Sequence, residues 1–142
     1  MKKLNNKGFT LIEMVIVIVI IAILAAMLVP SLLAYVDNAN QKSFINACDT
    51  IKTSVLTTVT NAYANNVTIS KTADMAATSN SAYATAVNDL VGKTIKYGSA
   101  STAGADYTAS FTMTKNTVST FVVYNAKYTG TWTTSGWSVS AK

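Results

Sequence analysis

The chain has few of the residues that cross-link small secreted domains through disulfides, and it lacks several that are common in catalytic sites. Its 142 residues include one cysteine, Cys48, with no histidine and no arginine, so all eleven basic residues are lysine. A single cysteine excludes an internal disulfide, and the lack of histidine removes the commonest general base and metal ligand. Paired carboxylates and a Gly-rich phosphate loop are also missing. The sequence therefore predicts no catalytic residues, no metal and no cofactor, and a protein that is not an enzyme.

The charges are few and unevenly placed. The formal net charge is +5, but three of the lysines (Lys2, Lys3 and Lys7) precede a long apolar run. The other lysines are scattered, which argues against nucleic acid as a partner, because nucleic-acid-binding domains usually cluster their basic residues on one face. After Asp74 the only acids are Asp89 and Asp106, too sparse for the oxygen-ligand cluster of a calcium site.

From residue 9 to residue 34 the chain is apolar except for Thr10, Glu13, Pro30 and Ser31. A bilayer needs about 20 apolar residues, and the lysines before the run predict that this end stays in the cytoplasm. We therefore expect a leader at 1–8, a membrane-spanning helix half at 9–34 and an external globular domain at 35–142. A plain single-pass anchor is one interpretation of the run. It tolerates Glu13, which lies near the end of the span, but it does not explain the positions of Gly8 and Phe9.

The helix is predicted to continue beyond the membrane, from Phe9 to about Ala64. Apolar residues recur at steps of three and four and predict one buried stripe: Phe44, Cys48, Ile51, Val55, Val59 and Ala62. Pro30 lies inside this helix and is expected to kink it. The alternative is that Pro30 ends one helix and Ser31 begins another.

The rest of the chain predicts a short helix and several strands. The helix spans 81–91, is capped by Ser81 and ends at Gly92. Strands are expected at 93–98, 107–114 and 120–129, and after a turn at Ser135–Gly136. Strands in succession with short links favour an antiparallel meander, and the helical stripe is the obvious cover for its apolar face. The fold class is therefore α+β, with one long helix packed on a small antiparallel sheet.

The N-terminal residues carry a family resemblance. The string "KG", followed by "FTLIE" and a long apolar helix with Pro30 inside it, resembles the class III signal of type IV prepilins and pseudopilins. The resemblance covers residues 1 to about 35 and implies the pilin fold. It implies cleavage between Gly8 and Phe9 by a prepilin peptidase, and N-methylation of Phe9. It also implies that Glu13 pairs with the Phe9 amine of a neighbouring subunit during assembly.

The same resemblance implies a function and a location. The chain would be a single-pass precursor in the cytoplasmic membrane and then a homo-oligomeric pilus fibre at the cell surface. The implied roles are twitching motility, adhesion, aggregation and biofilm formation, with an assembly platform and ATPases as further partners. The alternative is a pseudopilin of a type II secretion or competence (DNA-uptake) system. The missing disulfide and the lysine-only composition favour a Gram-positive source such as a clostridium.

Overall fold

A computed structural model describes residues 8–99, 104–114 and 117–142. It contains one long helix, two shorter helices with a 3₁₀ turn between them, and a five-stranded sheet, which confirms the α+β class. The helices are α1 (Leu11–Ala64), α2 (Thr72–Ala76) and α3 (Ser81–Val91), with the 3₁₀ turn at Thr78–Asn80. The strands are β1 (Ile95–Tyr97), β2 (Tyr107–Thr114), β3 (Thr117–Tyr124), β4 (Tyr128–Thr133) and β5 (Gly136–Ala141).

The chain divides into two units, residues 1–39 and residues 40–142. In the first unit the large apolar side chains of α1 are exposed, from Leu11 at 82 % to Val15 at 39 %. A window of this helix reaches a mean hydropathy of 3.2, which makes it long and apolar enough to cross a membrane. An apolar surface of this extent requires lipid or other helices to cover it. The predicted division at residues 34 and 35 stays a prediction.

Helix α1 runs unbroken through Pro30. The alternative of two helices meeting at this residue is therefore wrong. Proline has no N–H, so the carbonyl one turn earlier loses its usual helical donor. Beside it, the hydroxyl of Ser31 donates to the carbonyl of Leu28 at 2.8 Å. The kink expected at Pro30 stays a prediction.

In the second unit every residue of the predicted stripe on α1 is buried, which confirms the three-and-four spacing. The stripe packs against one face of the sheet, where β2 and β3 contribute Ala109, Phe111, Phe121 and Val123. Phe111 and Phe121 are a cross-strand pair whose stacked rings lie 5.9 Å apart. One face of α1 and one face of the sheet therefore form the main part of the core, to which Met75 of α2 and Val87 of α3 also belong.

The sheet has the order β1-β2-β3-β4-β5, and β2 to β5 form the predicted antiparallel meander. The expectation of a wholly antiparallel sheet is wrong at one edge, where β1 pairs with β2 in parallel. The carbonyl of Thr94 accepts the amides of Asp106 and Tyr107. The chain therefore re-enters the sheet beside the start of β1, and both strands run the same way.

The single strand predicted at 120–129 is also wrong, because a turn divides it into β3 and β4. The side-chain oxygen of Asn125 accepts the amides of Lys127 at 2.8 Å and of Tyr128 at 2.6 Å. These two hydrogen bonds stabilise a turn at Asn125, so the strand ends at Tyr124 although the neighbouring residues favour extended chain. The turn predicted at Ser135–Gly136 lies one residue earlier, at Thr134–Ser135, and Gly136, with a φ of 113°, begins β5.

Helix α3 has the predicted bounds, and Gly92 ends it in the left-handed conformation with a φ of 66°. The expected cap is wrong, because Asn80 occupies the N-cap and Ser81 is the first helical residue. Of the apolar residues Val87 and Leu90, which the helical spacing predicts on one face, Val87 is buried but Leu90 is 60 % exposed. The apolar face of α3 is therefore narrower than its sequence suggests.

A clamp of four side chains joins α1 to the last two strands. The indole N–H of Trp137 donates to Oδ1 of Asp49 at 2.7 Å. Lys52 Nζ lies 3.5 Å from the same carboxylate oxygen and 4.3 Å from the ring centroid of Trp132. Trp132 and Trp137 face each other across β4 and β5. The clamp ties the C-terminal hairpin to the helix without a disulfide.

We expect Gly130→Ala to destabilise the globular unit. A Cβ at this position would lie 3.0 Å from Cε1 of Phe44 and 3.1 Å from Sγ of Cys48. Overpacking of this kind costs about 1–3 kcal/mol, which denaturant unfolding followed by tryptophan fluorescence would measure. Gly98→Ala is the matched control, since its nearest contact is 3.8 Å away. Equal stability of the two variants would contradict the close packing of α1 on β4.

Burial raises the pKa of the Cys48 thiol from 9.0 to about 12. Below pH 9 the thiol is protonated in the folded and unfolded states, so its contribution to stability is fully present. As the pH rises from 9 toward 12, the unfolded thiol ionises first and that contribution is lost. We expect iodoacetamide at pH 8 to modify Cys48 only after unfolding, measured by mass shift. Rapid modification of the native chain would show that the site is open.

Candidate functional site

The predicted cleavage site lies in exposed, non-helical chain. Gly8 and Phe9 precede α1, and the side chain of Phe9 is 78 % exposed. A Cβ added at Gly8 would meet no atom within 4 Å among the described residues. Exposed chain outside regular structure is where peptidases cut most readily. Cleavage between these residues and methylation of Phe9 stay predictions, and residues 1–7 of the leader lie outside the described residues.

Glu13 is bonded within its own chain. Its Oε2 accepts the backbone N–H of Thr10 at 2.8 Å and the hydroxyl of Thr10 at 2.6 Å. In return, the backbone N–H of Glu13 donates to the Thr10 hydroxyl oxygen at 3.3 Å. These reciprocal bonds form a capping box that begins α1.

The capping box gives the carboxylate a structural reason to lie beside an apolar run. It satisfies amide groups that every helix leaves without partners at its N-terminus, and such a cap is worth about 1 kcal/mol. A negative charge at this end also interacts favourably with the helix dipole. Both bonds from Thr10 end on Oε2, so within the described residues Oε1 is the oxygen that another chain's donor would use.

Thr10 was missed as a site residue by the sequence analysis. The pattern T-L-I-E at 10–13, directly before an apolar run, is the signature of a capping box and could have identified it. The prediction for Glu13 concerned only a partner in a neighbouring subunit. The structure adds a partner in the same chain.

The remaining predicted residues are placed separately. Pro30 lies on α1 well beyond Glu13, and it is not near the N-terminal cap. Among residues 8–99, 104–114 and 117–142, no group of three or more His, Cys, Asp or Glu side chains is arranged to hold a metal. The candidate site is therefore the short N-terminal segment Gly8–Glu13 together with the exposed apolar helix that follows it.

Comparison with known proteins places a motif on this segment. Residues 3–29 match the prokaryotic N-terminal methylation motif. Over 36 residues the chain is 69 % identical to the type IV wide pilus major component PilA4 of Thermus thermophilus. Over 52 residues it is 46 % identical to a fimbrial protein of Moraxella nonliquefaciens. No solved structure matches the chain.

These matches cover the chain in part. They span 25 % and 37 % of this chain, and 28 % and 34 % of the two relatives, so the chain matches about a third of their length. Neither name is that of an enzyme, in agreement with the structural protein predicted from the sequence. The motif and a helix that is long and apolar enough to cross a membrane together fit a membrane-anchored precursor. The Gram-positive source stays a prediction.

We expect Thr10→Ala to loosen the first turn of α1. The variant loses the hydroxyl at the N-cap, and a lost cap of about 1 kcal/mol speeds local amide exchange about fivefold. Hydrogen exchange of residues 11–14 in the full chain in detergent would measure this. Thr10→Ser keeps the hydroxyl and should exchange like the unmodified chain. Identical exchange in the alanine and serine variants would remove the capping role of Thr10.

Proposed function

We propose that this chain, whose N-terminal segment is that of a type IV prepilin, is a structural subunit of a type IV pilus. Its function would be to polymerise through the N-terminal half of α1 into a surface fibre. The observation that carries the proposal is a capped acid at the start of an apolar helix half, in which the large apolar side chains from Leu11 to Val36 are exposed. Lipid would cover this helix in the precursor, and copies of the same helix in the fibre.

The apolar helix supports assembly by more than one copy. The exposed apolar side chains of α1 surround it on every side, as the unbroken exposure from Leu11 to Val36 shows. Outside the bilayer such a surface is stable only when other apolar surfaces remove it from water. Identical helices packed in a bundle supply those surfaces at every face. A homo-oligomeric fibre is therefore the assembly that this helix favours.

Glu13 would favour one axial alignment, or register, between neighbouring helices in that bundle. Cleavage before Phe9 would create a positive amine, and N-methylation keeps that positive charge. A carboxylate left unpaired among apolar helices is costly, so a register that pairs it with a neighbour's amine is favoured over the others. Because Thr10 holds Oε2, the carboxylate enters assembly already oriented.

The globular unit would form the surface of the fibre. Adhesion, aggregation, biofilm formation and twitching motility are roles that such a surface and fibre could serve. A prepilin peptidase, an assembly platform and ATPases would act on the chain as separate proteins. A pseudopilin of a type II secretion or competence system would use the same N-terminal residues, so the discriminating observation is the fibre itself.

Surface filaments sheared from native cells should contain a chain that begins at methylated Phe9. The expected mass is that of residues 9–142 plus one methyl group, measured by intact-mass and N-terminal mass spectrometry. Long filaments whose main subunit is this chain would favour the pilus over the secretion or competence alternative. Recovery of the chain only from membranes, with Met1 intact, would overturn both the processing and the proposed function.

Glu13→Gln should be inserted in the membrane but should assemble poorly. The amide keeps an oxygen that can accept the Thr10 bonds, while the charge that would pair with the Phe9 amine is lost. We expect at least a tenfold loss of sheared fibre, measured by immunoblot against total chain. Asp37→Asn removes an acid from the same helix beyond the apolar run and is the matched control. Normal fibre yield from Glu13→Gln would contradict the pairing.

A further inference from the structure

The two edges of the sheet are protected to different degrees. The strand order places β1 at one edge and β5 at the other. Natural proteins protect edge strands with lysine, proline, β-bulges or covering chain, because an open edge can pair with another strand. The chain covers its own β1 edge, whereas within the described residues β5 pairs only with β4. The open edge of β5 is therefore a candidate interaction surface.

The edge formed by β1 and the end of β2 is closed by the chain's own residues. The side-chain oxygen of Asn88 accepts the amide of Ile95 at 3.0 Å. Beyond β1, the chain at 70–72 runs beside β2, and the amide of Met113 donates to the carbonyl of Ser70 at 2.8 Å. An approaching strand would have to displace these groups. Pairing between β5 of one copy and β1 of the next is therefore disfavoured.

Strand β5 carries none of the usual protections. Its sequence, GWSVSA, has no charged residue and no proline, and it pairs with β4 without a shift of register. The nearest charge along the chain is Lys142, whose Nζ donates to the carbonyl of Asn125 at 2.6 Å. Asn125 lies at the turn before β4, so this ammonium is held on the closed side of β5. No charge of the described residues next to β5 in sequence guards the open edge.

The residues of β5 alternate between the closed and the open side. The amide of Lys142 donates to the carbonyl of Lys127 at 3.0 Å, on the β4 side. Because every second residue of an antiparallel strand bonds to the same neighbour, the even-numbered residues of 136–140 also bond to β4. The odd-numbered residues direct their N–H and carbonyl groups to the open edge. These residues are Trp137, Val139 and Ala141.

A second β5 fits this edge best in one register. Two antiparallel copies related by a two-fold axis through Val139 place Trp137 of each copy opposite Ala141 of the other. All the outward-directed residues are then paired, with about six main-chain hydrogen bonds, two for each hydrogen-bonded pair. A slip of two residues leaves one outward-directed residue of each copy unpaired and reduces the number to about four. The backbone therefore favours the register centred on Val139.

The side chains suit the same register. Trp137 and Val139 lie on the side of the sheet that packs against the core. There the large ring of Trp137 would meet the small Ala141, and Val139 would meet its own copy. Lys142 would stand opposite Gly136, so no like charges face each other across the pair, an arrangement that would be destabilising. The uncharged edge is thus complementary to itself.

We propose that the globular unit pairs with a second copy of this chain through β5, antiparallel and two-fold symmetric about Val139, so that the two sheets become continuous. The pairing closes at two copies, because each open edge is covered by the other and the β1 edges are already closed. Main-chain hydrogen bonds supply the affinity, and the facing side chains fix the register. The pairing uses only the globular unit and does not depend on the proposed pilus function.

Disulfide cross-linking of the full chain tests the pairing, in detergent with micelles in large excess so that copies meet through their globular units. In the proposed register Ser138 lies opposite Ser140 of the other copy, in a non-hydrogen-bonded pair with Cα atoms about 4.5 Å apart. That separation permits a disulfide. We expect a mixture of the Ser138→Cys and Ser140→Cys chains, one of them isotope-labelled, to form a mixed dimer on mild oxidation. Cys48 is buried and does not compete.

Two controls distinguish the pairing from chance collision. Each cysteine chain oxidised alone would have to join diagonal neighbours about 7–8 Å apart, which is too far for a disulfide. Thr120→Cys, exposed on β3, replaces Ser140→Cys as the collision control. We expect the mixed dimer, measured by intact mass, to exceed both controls about tenfold. Equal yields in the mixture and the controls would overturn the pairing.

A backbone variant shows that the contact is a paired strand. Val139→Pro, added to both cysteine chains, removes the central outward N–H but leaves the bonds to β4 in place. We expect the mixed dimer to fall about tenfold, whereas Val139→Thr keeps the N–H and the branched shape and should cross-link as before. Undiminished dimer in proline chains that keep native near-ultraviolet circular dichroism would overturn the proposal. If the proline chains fail to fold, the cysteine mixture still decides it. Cross-linking of either cysteine chain to a different surface protein of native cells, without the self-pair, would assign the edge to that protein instead.

Discussion

One continuous helix has to be covered in two different ways, and the rest of the structure depends on this constraint. Its N-terminal part is apolar on every side, so only lipid or other helices can shield it. Its C-terminal part is apolar on one stripe, which is buried in the core of the globular unit. The first part therefore favours association between molecules, while the second part is satisfied inside one molecule. The same backbone element is both an anchor and a core.

The start of that helix shows how a polar group is accommodated next to an apolar surface. Thr10 and Glu13 satisfy the helix terminus locally, so the carboxylate has a structural role before any partner arrives. A group that is already hydrogen-bonded and oriented loses less freedom when a second donor approaches. Capping in the single chain and pairing between chains are therefore compatible uses of one side chain.

The structural features that could be predicted correctly from the sequence are those that a local periodic pattern specifies. The stripe from Phe44 to Ala62 repeats over many turns of a helix, so each residue supports the same interpretation. The division of β3 from β4 depends on one side-chain oxygen of Asn125 amid residues that favour strands. The parallel pairing of β1 depends on where a connecting loop returns, which no local pattern specifies. At the candidate site, Glu13 was selected as a candidate because it is an acid beside an apolar run. Its hydrogen bonds with Thr10 could have been predicted only from the three-residue spacing of a capping box.

The clamp between α1 and the C-terminal hairpin has a mechanical consequence. If the chain assembles through α1 as proposed, tension on the fibre would pass along α1, and the sheet would be loaded through its contacts with that helix. Trp137 bonded to Asp49, with Lys52 over Trp132, fastens the edge strand β5 directly to the loaded element. Force would then shear the helix along the sheet, and many contacts would have to fail together. Peeling strands from the free edge, where bonds break one at a time, is the mode that this attachment opposes.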